Sequence, residues 1–175
     1  MKRLLFSFGV HLAVGLVAAG VIYLLTKDQN VLAQSIIDQL FDDPDVLVDT
    51  RKGVQSASFA TLIAALGFSW VASAAFLLWS NAYRPSAGRF TGAMMGPWFF
   101  LLLVALASVG VAAWWQIWLS ALNFEFNPAR LTVVTIVSSL SVLIAYYLGT
   151  ALSIKNELKA SIPFAVFLPT LDFLS

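Results

Sequence analysis

Apolar and polar positions fall in long blocks along this chain. Four uncharged apolar runs, at about 4–26, 54–79, 97–119 and 131–154, dominate it. Each is long enough for the roughly 20 helical residues that cross a hydrocarbon core. Between the first two lies the only sizeable polar segment, 27–53. There Leu32, Ile36 and Leu40 recur every four residues beside Ile37 and Phe41, the spacing of an amphipathic helix. The later runs are joined by SNAYRPSAGRFTG and NFEFNPAR, and in the latter Asn127 and Pro128 are placed to start a helix. Lys155, Glu157 and Lys159 close the fourth run. The tail at 160–175 is apolar, about half a span long, and broken by Pro163 and Pro169. It is expected in the interface, folded back on the bundle, or inserted into a partner.

The pattern predicts an all-α membrane protein: a four-transmembrane-helix bundle with an extracytoplasmic amphipathic helix between the first and second spans and a short apolar C-terminal tail. Lys2 and Arg3 ahead of the first run resemble a signal peptide, but the run exceeds the roughly 7–15 apolar residues of such signals. It is expected to be a first span. Lys2, Arg3, Arg84, Arg89, Lys155 and Lys159 fall on one side of this layout, against Lys27, Arg51, Lys52 and Arg130 on the other. The excess of basic residues places both termini in the cytoplasm, and for a bacterial cell the location is the inner membrane.

Small residues recur within the runs. In the second, Ala57, Ala60, Ala64, Gly67 and Ala74 stand at helical spacing, with Ser56, Ser69 and Ser73 nearby. Gly9, Ala13 and Gly20 form one stripe on the first run and Gly15 with Ala19 another; Ser141, Ala145 and Gly149 form one on the fourth. Lipid tails are as apolar as Leu, so helices in a bilayer associate through close backbone approach at such residues. The second span is accordingly expected to be the one the others pack against. Trp98 near one end of the third run and Trp114, Trp115 and Trp118 at the other are the expected interfacial anchors.

Composition narrows the function. Of 175 residues, 60% are hydrophobic and 11% charged, where a soluble domain carries about a quarter charged. The net charge of +1 gives no basic patch for nucleic acid. The absence of Cys excludes disulfides, thiol catalysis and cysteine-held metals. No internal repeat or low-complexity tract divides the chain, so a single membrane domain is expected. In the acidic stretch, DDPDVLVD lacks the glycine and final glutamate of an EF-hand loop, which leaves a solvated loop and no metal.

Chemistry has few candidates. His11, the only histidine, lies at membrane depth, where an ionisable side chain suggests function. It is the one candidate cofactor ligand, but a bis-histidine haem needs a second His. Hydroxyls of the second or fourth span are its expected hydrogen-bond partners. The runs hold no Asp, Glu, Lys or Arg, which argues against proton-coupled carriers and against hydrolases that need paired acids. Ser108 and Ser139 have no base other than His11. No enzyme and no cofactor is expected. The expected function is a non-catalytic membrane subunit scaffolding or stabilising a larger complex, with membrane lipid and other integral-membrane subunits, or a second copy, as partners. The alternatives are a small oligomeric channel or transporter with hydroxyl-lined faces, and a pigment-, haem- or lipid-binding protein using His11 and the Trp114–Trp115 cluster.

Overall fold

The computed structural model describes residues 1–26, 47–82, 94–121 and 128–169, and within these every regular element is helical. The elements are α1 (Lys2–Thr26), α2 (Leu47–Ala82), α3 (Met95–Ala121) and α4 (Pro128–Ala151), followed by 3-10 turns at Asn156–Ser161 and Ala165–Phe167. The expected amphipathic helix around Leu32–Phe41 and the acidic Asp42, Asp43 and Asp45 lie outside the described residues.

Three helices, α1, α2 and α3, are long and apolar enough to cross a membrane, and α4 contributes a shorter apolar stretch, Thr135–Ala151. Two helices differ in extent from the apolar runs they contain. The second helix begins at Leu47 and not near Val54, giving 36 residues. At 1.5 Å per residue that is about 54 Å, well beyond a core of about 30 Å. No proline interrupts 47–53, so the polar lead-in simply continues the helix. The fourth helix ends at Ala151, its hydrogen bonding continues to Ile154 N–H on the Thr150 carbonyl at 2.9 Å, and the chain is then extended at Lys155 (φ −64°, ψ 144°). Pro128 is the first residue of α4, where its fixed φ suits a helix start. Pro97 sits in the first turn of α3, where its missing N–H is no loss.

The helices run up and down. α2 packs on α1, α3 and α4, and α4 also contacts α1 and α3, so α1 and α3 flank a central α2–α4 pair. In the apolar windows 50% of α2 is buried, against 22% of α1 and 28% of α3, which assigns the centre to α2. That centrality matches the expectation, but the face producing it does not. The buried side of α2 carries Ser58, Thr61, Leu62, Ala65, Leu66, Ser69, Ala72, Ser73, Phe76 and Ser80. Ala60 and Gly67 point outward, Ala64 and Ala74 are half-buried, and the side chain of Ala57 is outside the described set. The physical reason is the hydrogen bonding of Ser69 and Ser73 to His11 of α1, which outward Gly and Ala do not need.

The 3-10 tail folds back over the bundle end. Leu158, Ile162 and Ala165 join the core with Ile154, and the Tyr147 hydroxyl donates to the Pro163 carbonyl at 2.9 Å. Lys159 is buried and its Nζ donates to the carbonyls of Leu168 (2.9 Å) and Pro169 (3.1 Å). Residues 170–175 of the expected interfacial tail lie outside the described residues.

Candidate functional site

α1 turns Ser7, His11, Ala18 and Ile22 inward at spacings of four, seven and four. This places the His11 imidazole between α2 and α4, with only 4% of the residue exposed. Its Nδ1 lies 2.8 Å from the Ser7 carbonyl, which only accepts, so Nδ1 carries a proton and donates. Nε2 faces the Ser69 hydroxyl at 3.1 Å and Ser73 at 3.5 Å. A neutral imidazole with its proton on Nδ1 then accepts from Ser69, and both ring nitrogens are satisfied. The second span thus supplies the hydroxyl partners.

Gly149 of α4 completes the pocket. A Cβ there would stand 2.9 Å from His11 Cε1, 2.9 Å from Ser7 Oγ and 3.2 Å from His11 Nδ1. Ser141, Ala145 and Gly149, the predicted packing stripe of α4, are all buried. Gly15 plays a similar part against α2, where a Cβ would meet Leu66 Cδ1 at 2.9 Å.

The arrangement permits little chemistry. Ser69 and His11 have the spacing of a nucleophile and its base, and the Ser7 carbonyl orients the ring as a third member would. Yet Ser69 is fully buried. It also sits mid-helix, where neighbouring N–H groups bond to carbonyls one turn back and are not free to hold an oxyanion. Nε2 is engaged by hydroxyls, which does not suit a haem or metal ligand. Among the described residues no group of three His, Cys, Asp or Glu converges on a metal position. The geometry suits a structural polar node joining three helices. Ser69→Ala is expected to cost about 0.6 kcal/mol, the average for an interhelical hydrogen bond in lipid, measured by unfolding in mixed micelles.

A second node was not anticipated. Trp98 is 3% exposed and donates from Nε1 to Thr150 Oγ1 at 2.9 Å, while Tyr146 Oη donates to the Trp98 carbonyl at 3.0 Å. Its ring meets Tyr146 at 5.5 Å, Phe99 at 5.0 Å and Tyr147 at 6.3 Å. Trp98, expected as an interfacial anchor, is thus buried within the bundle with its N–H on a threonine. Trp114 and Trp115 do point outward, and the side chain of Trp118 lies outside the described set.

Five of the other predicted packing residues, Gly9, Ala13, Gly20, Ala60 and Gly67, lie on the outer surface. Gly9, Ala13 and Gly20 are exposed, and at 100° per residue they centre almost opposite Ser7, His11 and Ala18. Ala60 and Gly67 stand opposite the buried serine face of α2 in the same way. A Cβ at Gly9, Gly20 or Gly67 would meet nothing within 4 Å. No protein-family model matches this chain, nor does any curated protein or solved structure, so its own residues carry the functional reading.

Proposed function

We propose that this chain is a non-catalytic integral-membrane subunit that scaffolds or stabilises a larger membrane complex of the secretion, transfer or energy-transducing kind. One observation supports this above the others. The small residues of α1 and α2, Gly9, Ala13, Gly20, Ala60 and Gly67, occupy the centres of outward faces and leave open space there. A helix facing lipid alone gains nothing from a groove, whereas a neighbouring helix gains close backbone contact.

In this reading all four helices span the bilayer, with both termini on the cytoplasmic side of a bacterial inner membrane and residues 27–53 outside. The grouping of Arg3, the end of α2 and Lys155 at one end of the bundle supports that orientation: Arg3 donates to Asn81 Oδ1 at 3.3 Å and Lys155 to the Asn81 carbonyl at 3.5 Å. The test is crosslinking in native membranes with identification of the partners. Gly9→Leu combined with Gly67→Leu is expected to reduce partner recovery about tenfold, the equivalent of roughly 1.4 kcal/mol, while the isolated bundle melts as before. Wild-type protein that purifies from mild detergent as a stable monomer with nothing attached would sink the proposal.

A further inference from the structure

Three bulky apolar side chains crowd the outer side of the folded-back tail. Phe164 is 76% exposed, Val166 63% and Phe167 85%, while Ile162 just before them and Ala165 among them are buried in the bundle end. The backbone holds this arrangement firmly. Pro163 is fixed by Tyr147, Leu168 and Pro169 by Lys159, and Phe164 takes φ 60°, a left-handed conformation that side chains rarely adopt. The irregular segment from Asn156 to Leu168 is too short to cross a bilayer, and it lies where α4 has just ended, at the level of the first turn of α1.

Charge identifies what such a surface meets. The described charged residues at this end are Lys2, Arg3, Lys155 and Lys159 against Glu157. Apolar side chains beside an excess of cations match the boundary between acyl chains and anionic headgroups, where aromatic groups enter and phosphates lie just above.

We propose that residues 156–169 form a lipid foot: Phe164, Val166 and Phe167 enter one leaflet while Lys2, Arg3 and Lys155 meet the phosphates of anionic phospholipid. This rests on the membrane reading above, and the experiment separates the two. The chain has no cysteine, so Phe167→Cys and, separately, Leu16→Cys each accept one spin label without background. Leu16 is 68% exposed in the middle of α1. In phosphatidylcholine vesicles containing phosphatidylglycerol, both labels are expected to be open to oxygen and shielded from a water-soluble nickel relaxant, with the Leu16 label deeper.

A nickel-accessible label at 167 beside a lipid-exposed label at 16 overturns the foot alone. A label at 167 shielded from both relaxants overturns it in favour of a protein contact. A nickel-accessible label at 16 overturns the membrane reading and the foot together. Native mass spectrometry tests the headgroup: retention of phosphatidylglycerol over phosphatidylcholine is expected to fall roughly fivefold for each cation removed, in Lys2→Gln and in Lys155→Gln. Equal retention of the two lipids by the wild-type chain overturns the anionic assignment.

Discussion

Gly149→Ala is expected to destabilise the bundle by about 1–3 kcal/mol, the cost of forcing a methyl group into a filled interior. The new Cβ would come within 2.9 Å of His11 Cε1 and of Ser7 Oγ. The hydroxyl of Ser7 can rotate away, but the imidazole cannot, because one nitrogen is tied to the Ser7 carbonyl and the other to Ser69. Relief requires α4 to retreat from α1 or the ring to give up a hydrogen bond. The measurement is unfolding in mixed micelles, with His11→Ala as the second arm of a double-mutant cycle. His11→Ala removes the obstruction, so most of the loss caused by Gly149→Ala is expected to vanish in that background, a coupling far outside additivity. Strict additivity would show that His11 does not occupy the Gly149 position. Gly9→Ala and Gly20→Ala serve as controls: nothing lies within 4 Å of either new methyl group, and each is expected to leave stability unchanged or raise it, since alanine is the better helix former.

Three apolar helices long enough to cross a membrane were legible in the sequence, because the length of an uncharged apolar run is a one-dimensional property. Which side of each helix faces the core was harder to read. In water, apolar residues point inward and the pattern reports the face. Here Leu5, Leu12, Leu16 and Val17 of α1 are as apolar as anything inside and lie exposed, so hydrophobicity does not mark the face. Glycines were equally ambiguous. Gly15 and Gly149 admit a neighbouring side chain, while Gly9, Gly20 and Gly67 meet nothing, and local sequence does not separate the two groups. The informative signal was the polar stripe: Ser7 and His11 on α1, Ser69, Ser73 and Ser80 on α2, all buried. Of these, Ser69 and Ser73 meet His11 across the α1–α2 contact, so in this chain the histidine–serine spacing marks the core and glycine spacing does not. The folded-back tail was only one of three expectations, since its path depends on Tyr147 and Lys159 reaching carbonyls that no local pattern specifies.

Trp98→Ala is expected to cost about 3 kcal/mol, the lower end of the range for deleting a large buried aromatic. The lower end applies because the chain released from the bundle remains in lipid or detergent, which solvates an indole far better than water does. What is lost is packing: ring contacts with Tyr146, Phe99 and Tyr147, and the hydrogen bond to Thr150. Trp98→Phe separates the two contributions. It keeps a ring in place, removes the N–H, and is expected to cost about 1 kcal/mol beyond any repacking. Tyr146→Phe is expected to lose a similar amount, because its fully buried hydroxyl donates to the Trp98 carbonyl. The decisive comparison is Trp114→Ala. Trp114 is 67% exposed on the same helix, and its loss is expected to leave unfolding nearly unchanged while altering how α3 sits at the interface. If Trp98→Ala and Trp114→Ala gave equal losses, Trp98 would be a surface anchor after all and the contact joining α3 to α4 would have to be placed elsewhere. A Trp98 loss several times larger fixes that contact at the indole–threonine pair.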